Sequence, residues 1–386
     1  MSVTQITDDN IDTGIDTSKC IGAIGAMDGS ALTGINAGTS LLKNATNPAV
    51  DTNPADGVGA IWINTATGQM FSCTDATTDQ NTWTNMGSGT GHVTYTPPAW
   101  QFQGRTTGYV ISGVRDNIES HSYISDTGGT LTGQLVDRTY QGGYGSASMT
   151  HGYHACGYGD GAVRTTVQKF AFSSSVSAAN ISNTTVAKYV GASCSSEYYG
   201  YYIGGAPHTG DIQKQSHTND SSCVKIGDMS GNIYMSYAGG WSAPNDLFVS
   251  RPYDSNIHKI SLASDTSSTH HANLYSTTYT SGSAHTSSQT HGYRHGGAPG
   301  TGTNPTTVSK FAFNSGSTEV NIGNISGGWY GGRNAAAGSA GETAGYVVGG
   351  YGGTSSIDKF TYANDNTIAW IANLIKSRTW PVATQV

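Results

Sequence analysis

Charge is scarce in this chain. Only 11% of its 386 residues are Asp, Glu, Lys or Arg, against about 25% in an ordinary globular domain. No basic stretch exists that could neutralise a phosphate backbone, so nucleic acid is not an expected partner. Apolar residues are also few, at 36%. Low hydrophobicity with high net charge would mean disorder. Here the net charge is only −7, and 22 Tyr, 8 Phe and 7 Trp are present, so a folded chain is expected. No apolar run approaches the ~18–20 residues that span a bilayer, and membrane insertion is not expected. The start, Met1-Ser2-Val3-Thr4-Gln5-Ile6-Thr7-Asp8, has neither a basic nor an apolar leader segment. The 5 Cys (Cys20, Cys73, Cys156, Cys194, Cys223) are odd in number and lack CxxC spacing. They read as free, buried thiols and not as a disulfide framework or zinc site. With 10 Pro and no Gly-X-Y period, collagen is excluded.

Catalytic signatures are missing too. There is no HExxH, Walker loop, Gly-x-Ser-x-Gly or Ser-x-Asp-x-Gly-x-x-Trp turn. After residue 95 the only Glu are Glu119, Glu197, Glu319 and Glu342, at unrelated positions. No catalytic residue and no cofactor is expected. The 12 His tempt a metal reading, best at His151/His154 and at His291/His295. The residues equivalent to His151 and His291 elsewhere are Thr107, Tyr199, Asn245 and Ala344, which is no uniform ligand set, and no metal site is expected.

What the chain does have is glycine, 53 residues, and a step in charge. Residues 1–95 hold nine acids against two bases (Lys19, Lys43); residues 96–386 are balanced. Pro97-Pro98 follows the step. Beyond it, a Gly-aromatic strand recurs at Gly108-Tyr109, Gly152-Tyr153, Gly200-Tyr201, Gly292-Tyr293 and Gly345-Tyr346, usually ending in a Gly pair. A degenerate copy sits at Asp246-Leu247-Phe248-Val249, making six starts 44, 48, 46, 46 and 53 residues apart. A second strand, [Ile/Val]-x-Lys-Phe-x-[Phe/Tyr], accompanies each, clearest at Val167–Phe172, Val308–Phe313 and Ile357–Tyr362. Six residues past the Lys position lies a turn residue: Asp126, Ser175, Asp220, Asp265, Gly316, Asp365.

Short aromatic strands repeating every ~40–50 residues point to a β-propeller, one four-stranded blade per copy. A single blade cannot bury its own faces, but a closed ring can. The expected fold is therefore all-β: a six-bladed propeller over 96–386. The Gly pairs are expected where inner strands crowd the axis. The last segment, 378–386, reads as one strand beyond the sixth copy, pairing into the first blade to close the ring. Five Lys (Lys169, Lys214, Lys259, Lys310, Lys359) share one repeat position. They form either a cationic rim or, as we expect, stems packed along neighbouring blades.

Residues 59–87 read as a small β-hairpin module with a closing strand, within a 46–95 region. Residues 1–45 space their Ile and Leu too loosely for either helix or strand, and are expected to be an extended docking or stalk segment ordered by partners.

The diglycine strands resemble the kelch propeller, though a regular Trp after the third strand is absent. The Gly-Tyr-x-x-Gly-Gly and Ile-x-Lys-Phe-x-Phe pattern resembles repeats in virion appendages of tailed bacteriophages, notably cyanophages. Asp28-Gly29-Ser30-Ala31-Leu32-Thr33-Gly34-Ile35 is similar to a linker of phage fibre proteins. The resemblance implies a tail-fibre or receptor-binding protein at the virion surface. It would be a homotrimer, docked to other virion proteins through residues 1–45, and would bind host-surface glycan without catalysis. The alternatives are a purely structural or capsid-decorating protein and a glycan depolymerase.

Loop length bears on the binding face. From the Gly-Tyr glycine to the Lys position the gaps vary, at 12, 17, 14, 13, 18 and 14, while the following legs stay near 31–35. Per-repeat insertions mark a binding face. Candidate receptor contacts there are Tyr158, Arg164, His208, Asn304 and Tyr351, with Trp241, Trp329 and Tyr330 in the other connecting leg. Exposed aromatics suit the apolar faces of sugar rings.

Overall fold

The computed structural model describes residues 41–87 and 101–385, except 114–115, 175–176, 208, 232–234, 252–254, 266, 276–281, 299–305, 326–332, 353 and 366–367. The chain divides into two units, Met1–Pro98 and Ala99–Val386, at the diproline beside the charge step. The expected stalk, save its last residues, lies outside the described residues.

The first unit is one four-stranded sheet, Leu41–Asn44, Ile61–Asn64, Met70–Asp75 and Thr82–Asn85, in that order. The sequence reading put residues 41–44 in the stalk. They instead run parallel to the second strand, Leu41 opposite Ile61. The physical reason is burial: Leu42 packs on a cluster of Ala60, Trp62, Phe71, Cys73 and Trp83. A Leu-Leu-Lys-Asn stretch does not alternate, so the strand left no period-2 signal.

The second unit is all-β, and its described residues form six antiparallel four-stranded sheets plus a two-stranded ribbon. Each sheet has an axial strand, a second strand bearing the Gly-aromatic mark, a third bearing the Lys mark, and an outer strand. The axial strands are Val382–Gln385, Tyr144–Ala147, Ala192–Ser195, Gly239–Ser242, Ala284–Ser287 and Ala337–Ala340, for the first to sixth sheets. The first sheet takes its axial strand from the C-terminus: Val382 pairs with Ile111 and Gln385 with Gly108. Successive axial strands are neighbours, and the sixth returns to the first. The fold is propeller-like.

Among the described residues of this unit there is no single core. Apolar residues gather in six clusters, each spanning two consecutive sheets, the sixth-and-first pair included. One contact recurs between sheets: the aromatic of the Gly-aromatic strand lies against the residue three past the next sheet's Lys position. Tyr109–Phe172, Tyr153–His217, Phe248–Phe313, Tyr293–Tyr362 and Tyr346–Tyr123 stack at 4.4–5.0 Å between centroids. Such pairs contribute roughly 0.5–1.5 kcal/mol each beyond area burial.

The same interface explains the Lys mark. Lys169 bonds Asp220 at 2.8 Å and Lys359 bonds Asp126 at 2.7 Å. Lys214–Asp265 and Lys310–Asp365 repeat the pairing. Each Lys reaches the turn Asp of the following sheet, and Tyr201, Tyr293 and Tyr346 direct their hydroxyls to the same carboxylates. The fifth sheet has Gly316 in the Asp place, so Lys259 turns to Asp246 of its own sheet, 3.2 Å away. Four of the five lysines are inter-sheet clasps.

The two halves of the repeat also meet within a sheet. Gly152 stands opposite Phe170, and a Cβ on Gly152 would lie 2.2 Å from the Phe170 ring. The glycine makes room for the Phe that follows the Lys. The Gly pairs have a different cause from the axial crowding expected. Gly204 and Gly205 have φ of 60° and 119°, a left-handed bend leaving the second strand that glycine adopts freely. Axial crowding falls elsewhere, as at Gly338, whose Cβ would lie 2.1 Å from the His285 carbonyl oxygen. Axial strands expose unpaired edge groups, and neighbouring serines satisfy some. Ser193 Oγ accepts from Gly145 N (3.1 Å), Ser195 Oγ from Ala147 N (2.9 Å) and Ser242 Oγ from Ser195 N (2.9 Å).

Candidate functional site

Strand order places the loops between second and third strands, and the crossovers from outer strand to next axial strand, on one face of the second unit. The opposite face carries the hairpins between axial and second strands. The incoming segment binds along that hairpin face: Gln103 Nε2 donates to Gly341 O at 2.8 Å and Arg105 meets Glu342 at 3.1 Å. The crossover face is thus opposite the chain's point of arrival, and it carries the variable loops.

Four of the crossovers are anchored by a buried polar side chain, in three of them the residue before the Lys position. Gln168 Oε1 accepts from Val136 N at 2.7 Å and Asp137 N at 3.0 Å. Gln213 accepts from Thr185 N at 2.8 Å. Glu119 accepts from Ile375 N at 2.7 Å and Lys376 N at 3.2 Å. In the fifth sheet Glu319 takes the role, accepting from Tyr275 N at 2.9 Å. Buried cations complete two of these anchors, Arg378–Glu119 at 2.7 Å and Arg294–Glu319 at 2.7 Å, and Arg333 pairs at 2.5 Å with Asp358, the residue before Lys359. Two of the four Glu weighed as carboxylate catalysts are therefore taken up in buried ion pairs.

Above the anchors, the residue two before every axial strand is left-handed: Gly142, Val190, Tyr237, Gly282, Ala335 and Trp380 have φ of 41–69°. For Val, Tyr and Trp this is a genuine outlier. A backbone chain links them, Val190 N to Gly142 O (2.7 Å), Tyr237 N to Val190 O, Ala335 N to Gly282 O (2.7 Å) and Trp380 N to Ala335 O (3.0 Å). The bend turns two aromatic rings of opposite sheets toward each other, and Tyr237 and Trp380 meet at 5.0 Å. The residues that follow them, Ala238, Gly239, Pro381 and Val382, line an axial cavity of about 160 Å³ whose walls are mostly Gly, Ala and Ser, with Phe102 also on its lining.

Beside this centre the second sheet's loop forms the ribbon Tyr158–Gly159 with Ala162–Val163. Tyr158 lies 5.8 Å from Tyr189. Asp160 joins the group: its carboxylate accepts from Tyr140 OH at 2.8 Å and from Arg164 Nη2 at 3.3 Å. Losing that bond with the proton disfavours ionisation, so the Tyr140 pKa is raised. The Arg138 guanidinium lies 4.6 Å over the Tyr140 ring. The result is a half-exposed patch of aromatic faces edged by guanidinium and carboxylate groups, suited to stacking and hydrogen bonding against a sugar.

Of the residues expected from sequence, Tyr158 and Arg164 come together here. Tyr351 is on the same face, 51% exposed, and held by its N–H to Asn334 O at 2.6 Å. Trp241 is a correction. It is 1% exposed inside an axial strand, its Nε1 donating to Tyr293 O at 2.8 Å, and it cannot touch a receptor. His208, Asn304, Trp329 and Tyr330 lie outside the described residues. Sequence reasoning missed Arg138, Tyr140, Tyr189, Tyr237 and Trp380 as site residues. The available signal was their place, two to six residues before each axial strand, where four of the six connections carry Tyr. Among the described residues no three His, Cys, Asp or Glu converge as a metal site.

No family model matches the chain, and no curated protein does. Among solved structures 465 chains match. One, described as "Structure of YjhT", has a TM-score of 0.50 and 11% identity, covering 63% of this chain and 86% of that one. At this identity the likeness shows the fold alone.

Proposed function

We propose that this chain is a six-bladed, kelch-like propeller protein of a tailed-phage virion appendage, a tail fibre or receptor-binding knob. In this reading the crossover face binds host-surface glycan without cleaving it. The observation that carries the reading is the gathering of variable loops and half-exposed tyrosines on the face opposite the arriving chain. The six sheets, each built to the same plan and cyclically clasped, support the blade count. Residues 1–45 would be the docking segment toward other virion proteins, and a trimer is the expected assembly.

The test is an array of bacterial surface polysaccharides probed with the full chain. Binding without released oligosaccharide, weakened at least tenfold by Tyr158→Ala with Tyr351→Ala, is the expected result. Released oligosaccharide would replace the reading by a depolymerase. No binding to any polysaccharide would replace it by a purely structural or capsid-decorating role. A monomeric mass in light scattering would remove the trimer.

A further inference from the structure

The second candidate lies on the hairpin face. Five connections between axial and second strands are the same tight hairpin, closed by an N–H to C=O bond: Ser148 to His151, Ser196 to Tyr199, Ala243 to Asp246, Ser288 to His291 and Gly341 to Ala344. A scaffold repeated this faithfully makes deviations informative. The residue before the second strand is Thr150, Asn245, Thr290 or Thr343 in four hairpins, small and polar. In the third sheet it is Tyr198, 52% exposed. A half-exposed tyrosine at a hairpin tip contributes nothing to the clasp or to the stacking between sheets.

Tyr198 stands over a pocket of about 370 Å³ between the third and fourth sheets, within the usual size of a small-ligand site. Tyr199 and Pro244 supply apolar walls, and Gln101 and Gln289 also line it, Gln289 Nε2 donating to Gln103 Oε1 at 2.6 Å and Gln101 Nε2 to Glu342. The floor is rigid. The Lys214 ammonium lies 3.7 Å over the Tyr199 ring and is ion-paired with Asp265. Its charge is therefore matched. The other charged lining residue is Glu197, whose carboxylate accepts the Tyr198 hydroxyl and raises its pKa. The remaining charge is negative.

We infer that this pocket is a saccharide subsite for a neutral sugar, with a pyranose face stacked on Tyr198 and its hydroxyls meeting Glu197 and the two glutamines. The flat apolar ring supplies stacking, and the carboxylate and amides supply acceptors and donors at the rim. The excess negative charge disfavours uronic acids. The inference does not rest on the crossover-face reading, because it uses the opposite face and other residues.

Calorimetric titration of the full chain with maltose, cellobiose, lactose and N,N′-diacetylchitobiose tests it, with a glucuronate-containing disaccharide as the acidic probe. At least one neutral disaccharide should bind. Tyr198→Ala should weaken that binding at least tenfold while leaving the unfolding midpoint unchanged. Tyr198→Phe should keep it within threefold, and Tyr158→Ala should leave it unchanged. Absence of neutral-sugar binding, preference for the acidic probe, indifference to Tyr198→Ala, or loss in Tyr158→Ala would each overturn the inference. The last outcome would move the sugar to the crossover face, so the two readings fail separately.

Discussion

Removing the Arg378 guanidinium should loosen the closure of the whole second unit. Arg378 is the last residue of the sixth sheet's outer strand, just before the segment that becomes the first sheet's axial strand. It and Glu119 are both fully buried. Nη2 donates to Glu119 Oε1 at 2.7 Å, and Nη1 donates to the carbonyls of Ser112 and Asn117. In Arg378→Met the Glu119 carboxylate keeps its two backbone donors but loses its counter-charge in a fully buried site. Breaking a buried pair in this way costs about 3–5 kcal/mol. A domain has about 5–15 kcal/mol in total, so roughly a fifth or more of the stability should go. Glu119→Gln alone strands the guanidinium at similar cost.

The double variant Glu119→Gln with Arg378→Met restores neutrality. Gln168 and Gln213 already hold the equivalent crossovers as neutral amides, so the double variant should lie within about 2 kcal/mol of the parent. Urea unfolding of the full chain measures all four states. The single effects sum to about 6–10 kcal/mol and the double variant loses at most about 2 kcal/mol, so the expected coupling energy is at least about 4 kcal/mol, above the usual range for contacting residues. The exposed pair Lys225–Asp228, at 2.8 Å with half-exposed side chains, serves as control. Its loss should leave the denaturation midpoint unchanged, because water and salt screen an exposed pair. Additive single effects, or a loss under about 1 kcal/mol in Arg378→Met, would refute the idea that this pair latches the ring.

Other consequences follow from the same packing. Deleting 382–386 removes the first sheet's axial strand and should abolish a cooperative thermal transition of the second unit; an unchanged melt would refute closure. Gly152→Ala should destabilise by about 1–3 kcal/mol through overpacking, and Phe170→Leu in the same chain should recover part of it, measured by the shift in denaturation midpoint. Burial holds the His121 and His154 imidazoles down to about 4 and those of His217 and His295 down to about 3. The unfolded chain therefore binds more protons below pH 6.5, so stability is full above that pH and falls toward pH 4, by about 2 kcal/mol per histidine at pH 5; a denaturation midpoint flat from pH 7 to 5 would contradict this. The thiols of Cys156, Cys194 and Cys223 are pushed up to about 11–12 by burial and should resist a thiol reagent until urea unfolds the chain.

The repeat was legible because its marks are contacts copied around a ring. The Lys and the Asp six residues on form a fixed spacing in the sequence, but they do not bind each other within a copy. Each binds across to a neighbour, which a linear reading of one copy does not reveal. The axial strands left almost no trace. Ala192–Ser195, Ala284–Ser287 and Ala337–Ala340 are short, small-residue segments buried by one another, so alternation gives nothing to read. That is why Trp241 was placed in a connecting leg, and why the aromatics two to six residues ahead of those strands went unnoticed.

The irregular copies show the same logic most sharply. The fourth copy has Phe248 where most copies have Tyr, and the following turn has Gly316 where most have Asp. These are the two partners of one clasp, hydroxyl and carboxylate, and they are absent together. The first copy has Ser120 in the Lys place, and the next turn has Ser175 in the Asp place. A carboxylate half-buried at a sheet interface without its cation would cost more than the pair contributes. Loss of one partner therefore favours loss of the other. The unit on which the sequence is written is not the single sheet but the interface between two. A copy that looks degenerate alone is regular when read with the turn of the sheet that follows it.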